Sequence, residues 1–121
     1  MSDQEPICEI DYDGTKRWYL LGRLHRVGFP AVEHNAGAKY WYLNGKQHRT
    51  DGPAVEHVNG SKYWFLNGKY HRADGPAIDL GNGTKSWYLD GEFRKPIEVF
   101  KAATHEQKIH MLCFYASEFL P

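Results

Sequence analysis

Residues 37–57 read GAKYWYLNGKQHRTDGPAVEH, and residues 60–79 read GSKYWFLNGKYHRADGPAID. These stretches are copies of one unit, and two degraded copies flank them at residues 14–34 and 83–100. Equivalent positions lie 23 residues apart, and the chain's four tryptophans mark the period: Trp18, Trp41, Trp64 and Trp87. A constant period of this kind is typical of stacked supersecondary units whose terminal copies have decayed.

Each unit has the pattern of a β-hairpin. Aromatic residues around Trp41 favour a strand, and Asn44 and Gly45 directly after them form the dipeptide that type I′ turns prefer. We predict a second strand over residues 54–57 and interpret residues 44–52 as a loop at the rim of the sheet. A third strand over residues 46–49 is the alternative, but an odd number of strands per unit would reverse the chain direction in every repeat.

The predicted fold is all-β. We expect an antiparallel meander of four 23-residue β-hairpin repeats, with about eight strands in a solenoid-like twisted sheet and a short C-terminal helical cap. The length of 121 residues is that of one domain. We divide this domain into an N-terminal cap strand (1–13), the hairpin repeats (14–95) and the helical cap (96–121).

The helical cap is predicted from a change of pattern after residue 95. Pro96 suits the first turn of a helix, and Thr104 with Gln107 matches a capping box. The apolar residues that follow are spaced for one helical face: Ile109, Leu112, Cys113, Ala116 and Phe119. The alternative is a helix for a dimer or partner, which three further apolar residues indicate: Met111, Phe114 and Tyr115.

Alternation along a strand places Trp41 on one face of the sheet and Tyr40 on the other. With two strands per unit, equivalent side chains would form rows spaced at about 10 Å. We interpret the row of Trp18, Trp41, Trp64 and Trp87 as a structural core ladder. A platform on which a ligand stacks is the alternative.

The predicted rim loops contain three His-Arg pairs, one in each of the first three repeats. The planar fork of arginine suits carboxylates and phosphates, so we predict binding residues in these loops: Arg26, His48, Arg49, Asp51, His71, Arg72 and Asp74. We add Tyr40 and Tyr63 from the sheet. The alternative is that the loop residues bond to one another and to backbone carbonyls and so close each turn.

Composition excludes several classes of function. Fifteen basic residues balance fifteen acidic ones, so we do not expect nucleic-acid binding. Cys8 and Cys113 form no Cys/His cluster, and histidines one repeat apart are too distant to share an ion, so we predict no metal and no cofactor. The sequence has no apolar run of membrane-spanning length and a polar, acidic start, so we expect no signal peptide, no membrane association and a cytoplasmic location.

The aromatic strand followed by N-G-K-x-H resembles MORN-type hairpin repeats over residues 14–91. It departs from the MORN pattern after the histidine, where Arg26, Arg49 and Arg72 replace a glycine. The longer string W-Y-L-N-G-K-x-H-R-x-D-G-P-A is similar to the repeats of uncharacterised proteins in tailed phages and giant DNA viruses. This resemblance implies the stacked-hairpin fold, and it raises the expectation of a viral accessory protein.

Identical groups in every repeat do not build the asymmetric constellation that an active site needs, so we predict a protein without enzymatic activity. Our first hypothesis is a phage accessory protein in the host cytoplasm that binds and inhibits a host protein, such as a component of a defence system. Sequestration of a small anionic ligand such as a nucleotide, and a structural or scaffolding role, are the alternatives. A homodimer is a further expectation, because exposed sheet edges can pair.

Overall fold

The structure is a computed structural model that describes residues 5–119. Residues 1–4 of the predicted N-terminal cap strand and residues 120–121 of the predicted helical cap lie outside this range. The described residues form fourteen strands, two α-helices and a final 3-10 turn. Their bounds are β1 (Ile7–Ile10), β2 (Lys16–Leu20), β3 (Arg23–Leu24), β4 (Val32–Glu33), β5 (Lys39–Tyr40), β6 (Tyr42–Leu43), β7 (Lys46–Gln47), β8 (Val55–Glu56), β9 (Lys62–Tyr63), β10 (Phe65–Leu66), β11 (Lys69–Tyr70), β12 (Ile78–Asp79), β13 (Lys85–Leu89), β14 (Glu92–Arg94), α1 (Pro96–Ala102), α2 (His105–Tyr115) and the turn Ala116–Phe119.

Most strands belong to one open antiparallel sheet. Its ten strands follow the order β1-β2-β4-β5-β8-β9-β12-β13-β14, with β3 paired to β2. The order in this sheet follows the sequence and skips only β3 and the small hairpins β6–β7 and β10–β11, which pair separately. The predicted all-β meander with a helical C-terminal part is therefore confirmed.

The structure corrects the predicted loop over residues 44–52, because Lys46–Gln47 is a strand. Asn44 and Gly45 both have positive φ (51° and 81°), which closes a two-residue hairpin of the type that favours such dipeptides. Strand β7 pairs with β6, and β8 pairs with β5 in the same antiparallel sense. The two are parts of one interrupted return strand, so the third strand per unit does not reverse the direction of the repeat.

A loop interrupts the return strand at the point that lies opposite the tryptophan of the first strand. The backbone N–H of Trp41 donates to the carbonyl of Ala54 at 2.7 Å, and the Trp41 carbonyl accepts from the N–H of His48 at 3.1 Å. Both ends of the loop over residues 49–53 are thus fixed to one residue. Trp18 and Trp64 hold equivalent loops in the same way. We call these three segments the rim loops: residues 26–30 (first), 49–53 (second) and 72–76 (third).

Strand register assigns side chains to two faces. Tyr40 lies opposite both Val32 and Val55 in the ladder, and Val55 also lies opposite Tyr63. Directly opposed residues share a face and successive residues alternate, so these side chains form a tyrosine face. Trp41 and its equivalents lie on the other, tryptophan face. The predicted division between Tyr40 and Trp41 stays a prediction from this alternation, because Trp41 also shares one buried cluster with Val55, against which Tyr40 and Tyr63 pack.

The helices cover the C-terminal end of the tryptophan face. Pro96 begins α1, and the predicted capping box at α2 is present, with the Gln107 N–H donating to the Thr104 hydroxyl. Trp87, Val99 and Met111 form a buried cluster there. Neither helix in the described range is long and apolar enough to span a membrane.

The predicted packing face of the cap is wrong for Ile109 and Leu112 of α2, whereas Phe119 of the predicted set does pack against Trp87. Ile109 and Leu112 are about half exposed, and Met111 is fully buried instead. Met111 and Tyr115 lie four residues apart and therefore on one side of the helix. This side turns toward the sheet because Tyr115 packs edge-on against Trp87 and bonds to Arg72 of the third rim loop.

Candidate functional site

An arginine covers the tryptophan in each of the first three repeats. The guanidinium carbon Cζ of Arg49 lies 3.8 Å from the centroid of the Trp41 ring. The equivalent distances are 3.7 Å for Arg26 over Trp18 and 3.9 Å for Arg72 over Trp64. A cation this close to an indole face is attracted by the ring quadrupole. We call this arrangement the arginine clamp.

A glycine lies on the other side of the guanidinium in the second and third clamps. A Cβ atom added at Gly75 would come within 2.6 Å of Arg72 Cζ, and one added at Gly52 within 3.0 Å of Arg49 Cζ. The glycine of the Asp-Gly-Pro string therefore provides space for the cation. In the first repeat Phe29 occupies this position, and its ring lies 4.9 Å from Arg26 Cζ.

Polar partners fix the second clamp at three points. Arg49 Nε donates to Asp51 Oδ1 at 2.9 Å, and its Nη1 donates both to the Pro53 carbonyl and to Glu56 Oε2 at 3.0 Å. These bonds join the rim loop to strand β8. The predicted binding residues Arg49 and Asp51 thus belong to an intramolecular network. Its bonds are charge-assisted and therefore stronger than neutral ones.

The other two clamps vary this scheme. Arg26 donates to the Pro30 carbonyl and to Glu33, but Gly28 stands where the second loop has its aspartate. Arg72 donates to Asp74 at 2.9 Å and to the Pro76 carbonyl at 3.2 Å. Its remaining partner is the hydroxyl of Tyr115 in α2, at 3.2 Å. The cap is thus bonded directly to the third rim loop.

The histidines of the rim connect successive repeats. The ring nitrogen His48 Nδ1 accepts from the backbone N–H of Asn67 in the next hairpin turn, at 2.9 Å. His25 and His71 accept in the same way from Asn44 and Asp90. These bonds recur every repeat, which is the behaviour of a residue that supports the stack.

Tyr40 and Tyr63 do not join the arginines and histidines of the rim, because they lie on the opposite face. The His57 ring packs edge-on between them, with centroid distances of 5.8 and 5.7 Å. Nearby on the tyrosine face, burial raises the pKa of Tyr70 above its usual value, with a smaller contribution from Tyr63. The predicted binding set therefore divides between two surfaces.

Open grooves separate the rim loops on the tryptophan face, and each has a tryptophan and a leucine in its wall. The first, of about 510 Å³, contains Trp18 and Leu20 between the first rim loop and Glu5. The second, of about 290 Å³, contains Trp41 and Leu43 between the first and second rim loops. The third, of about 600 Å³, contains Trp64 and Leu66 between the second and third rim loops, with Gln107 and His110 of α2 at its side.

The equivalent position in the fourth repeat is filled by the cap. Trp87 is only 2% exposed, and the cluster around it includes Leu89, Val99, Met111 and Phe119. The indole Nε1 donates to Glu118 Oε1 at 3.3 Å. Because α1 begins at Pro96, this repeat forms no rim loop. In the fourth repeat a protein segment thus lies where the first three have an arginine clamp and a groove; the second clamp leaves Trp41 only 9% exposed.

Sequence reasoning missed several of these residues. Leu20, Leu43 and Leu66 line the grooves, and Glu33 and Glu56 pair with the clamps. The signal was present, since both sets recur at the 23-residue period, but the sequence does not say that rim loop and strand approach each other. Within residues 5–119, no three His, Cys, Asp or Glu side chains are grouped so that they could hold a metal ion.

No family model, no curated protein and no solved structure matches the chain. The four repeats can still be compared with one another, because they share one backbone unit and differ in what covers the tryptophan.

Proposed function

We propose that the protein is a non-enzymatic binding protein that holds a segment of a partner protein in the three open grooves of the tryptophan face. The observation that carries this proposal is the fourth repeat. There a helical segment of the chain itself packs on the same tryptophan strand and buries Trp87. A partner segment with similar apolar side chains could pack in the three related grooves of the other repeats.

The chemistry of the grooves supports an apolar partner segment. Their walls combine indole and leucine surface with clamps whose charges are already paired within the chain. Val27, at 74% exposure, adds aliphatic surface between the first and second grooves. Tryptophan and arginine are enriched where interfaces gain most of their free energy.

The spacing of the grooves favours a helical partner. Two sheet strands per repeat separate equivalent positions by about 10 Å. Seven residues of an α-helix rise by about 10.5 Å. A helix with apolar side chains at every seventh position would therefore place one near each groove, in the manner of helix-in-groove recognition.

The wider biological expectation is part of the same proposal. The repeat string supports a phage accessory protein that binds and inhibits a host protein, such as a defence component, in the host cytoplasm. Balanced charge supports a protein partner over a nucleic acid. Insertion of a nucleotide between tryptophan and arginine is not favoured, because the two groups already stack on each other at 3.7–3.9 Å.

Two exposed rim residues allow the grooves to be blocked without touching the core. Val27 lines the first and second grooves, and Thr50 lines the second and third. The double variant V27E/T50E places a charge in all three. We expect the wild-type chain to capture a partner from candidate host cells. The double variant should bind this partner with a Kd at least about tenfold higher, because a carboxylate in an apolar contact loses its hydration.

The matched control is Ala36→Glu, a change at an exposed turn residue that lies near Tyr40 and Tyr63 and outside the three grooves. We expect A36E to retain the partner, and circular dichroism should show all variants folded. Capture that survives V27E/T50E but fails in A36E would contradict the proposal and place the binding surface on the tyrosine face. Isothermal titration with the purified partner would measure the loss.

A further inference from the structure

The two ends of the main sheet differ in how they are covered. At the C-terminal end, β14 is the last strand, and α1 packs against its neighbour β13. At the other end, β1 pairs with β2 on one side, and no strand of the described residues pairs with its outer side. Among residues 5–119, the outer edge of β1 is therefore a free edge of the sheet.

Hydrogen-bond alternation shows which groups of β1 point outward. The N–H of Asp11 donates to Thr15 at 2.9 Å, toward β2, whereas the N–H of Trp18 points away from β1 to Ala31. In an antiparallel ladder the backbone groups of successive residues face opposite sides. The N–H and C=O groups of Cys8 and Ile10 therefore point to the free edge.

This edge has few of the features that usually prevent pairing: its one charged residue is Glu9, and one proline, Pro6, directly precedes the strand. Strand β1 reads ICEI, without lysine or proline, and its Ile7 and Ile10 side chains are 70% and 64% exposed. Natural sheets protect such edges with charges, bulges or covering segments. An exposed apolar edge of this kind is a template for another strand.

We propose that the strand on this edge is β1 of a second copy, antiparallel and related by a two-fold axis, with Cys8 opposite Cys8 of the partner subunit. In this register the two Cys8 residues exchange N–H to carbonyl bonds. Each Ile10 N–H also donates to the carbonyl of Pro6 of the partner subunit. Pro6 has no N–H, and here it needs only to accept.

Charge and register select this arrangement. A slip by one residue would oppose side chains that lie on different faces of the sheet. Centring the pair on Glu9 would place two carboxylates directly opposite each other, and like charges in that position destabilise a sheet. The chain has a net charge of zero, so two copies do not repel each other over distance.

Cross-linking at Cys8 tests the register. Opposed residues in a hydrogen-bonded pair have Cα atoms about 5.5 Å apart, which lies in the range of disulfides. The test uses a C113S background, because Cys113 is the other exposed thiol. Diamide removes two electrons and two protons from the thiol pair, and we expect a covalent dimer on a non-reducing gel. Under reducing conditions, light scattering should give twice the mass of one chain.

Variants separate this edge from other interfaces. Ile10→Pro removes an outward N–H that β2 does not use, so we expect a folded monomer. Cys8→Ser should keep the non-covalent dimer and lose the cross-link. If I10P does not fold, Cys8→Lys opposes two like charges without altering the backbone and should also give a monomer. A monomeric wild-type chain, or an I10P or C8K dimer, would overturn the proposal; a wild-type monomer would leave the edge for a strand of another protein.

Discussion

The second and fourth repeats present the same tryptophan strand but cover it differently. In the second, the Arg49 guanidinium of the rim loop lies over Trp41, and a groove stays open beside it. In the fourth, Pro96 replaces the loop with α1, and aliphatic and aromatic side chains bury Trp87. One backbone unit therefore accepts either a polar clamp from its own loop or an apolar segment from outside it.

This difference explains how the array of repeats can end at the cap while the other repeats keep grooves for a partner. The first two clamps satisfy their arginines within the repeat, and successive repeats are joined by backbone bonds, by histidine bonds and by bonds to the hydroxyls of Thr15 and Ser61. A helix on the tryptophan removes the surface that another rim loop would use. The cap thus closes the array at one end and shows what the open repeats can accommodate.

The largest effect is expected where the cap meets the sheet. Met111 is fully buried against Trp87, and Met111→Ala should lower the free energy of unfolding by about 2–5 kcal/mol, because the cavity it leaves is not filled. Urea denaturation followed by tryptophan fluorescence measures the loss.

The neighbouring Leu112→Ala is the matched control for the cap, since Leu112 is about half exposed on the same helix. We expect its effect to be less than about 1 kcal/mol. Equal losses in M111A and L112A would contradict the helix orientation that places Met111 on Trp87.

The arginine clamp is tested by whether a substitution at Gly75 raises or lowers the free energy of unfolding. Gly75 does not have the positive φ that disfavours side chains, so alanine there would ordinarily stabilise by about 0.4–1 kcal/mol through the unfolded state. The Arg72 guanidinium lies 2.6 Å from the new Cβ position, and we expect Gly75→Ala to destabilise by about 1–3 kcal/mol from overpacking.

Gly52→Ala sharpens this test, because the corresponding distance to Arg49 is 3.0 Å. It should destabilise by less than G75A in the same urea titration. In an R72A background the clash is absent, so G75A should then be neutral or stabilising. A G75A substitution that stabilises the wild-type chain would show that the guanidinium does not rest on the glycine.

A smaller effect is expected at the bond between cap and clamp. Tyr115→Phe removes the hydroxyl that accepts from Arg72 and should lower stability by about 1 kcal/mol, the net value of a typical hydrogen bond. A double-mutant cycle with Arg72→Lys measures the coupling. Additive losses would mean that cap and third rim loop are energetically independent.

The sequence was sufficient for the features that follow from periodicity. The 23-residue spacing and the alternation around Trp41 predicted the meander and its two faces, because both depend on local pattern. Strand β7 was missed because the argument about chain direction assumed an unbroken return strand. The break at Trp41 is a tertiary feature, set by hydrogen bonds to His48 and Ala54.

Less of the candidate site could be predicted from the sequence. Arg49 and Asp51 were recognised as a repeated pair, but their orientation toward Trp41 depends on how the loop folds back. The rotation of α2 was missed because Ile109 and Leu112 satisfy the same helical spacing as Met111 and Tyr115. Only the contact with Trp87 and Arg72 decides between these two faces.

The smallest effect concerns the bond between successive repeats. His48→Ala removes an acceptor from the Asn67 N–H, and because that turn is exposed, water can replace the histidine. We therefore expect a loss of about 0.5–1 kcal/mol, partly restored in His48→Asn, whose side-chain oxygen can also accept.

Arg94 occupies the same position in the fourth repeat, where the cap follows and no further hairpin turn needs an acceptor. Its side chain pairs with Glu92. Arg94→Ala should change stability by less than about 0.5 kcal/mol, since exposed ion pairs contribute little, and a larger loss in R94A than in H48A would contradict the assignment of this histidine to the bond between repeats.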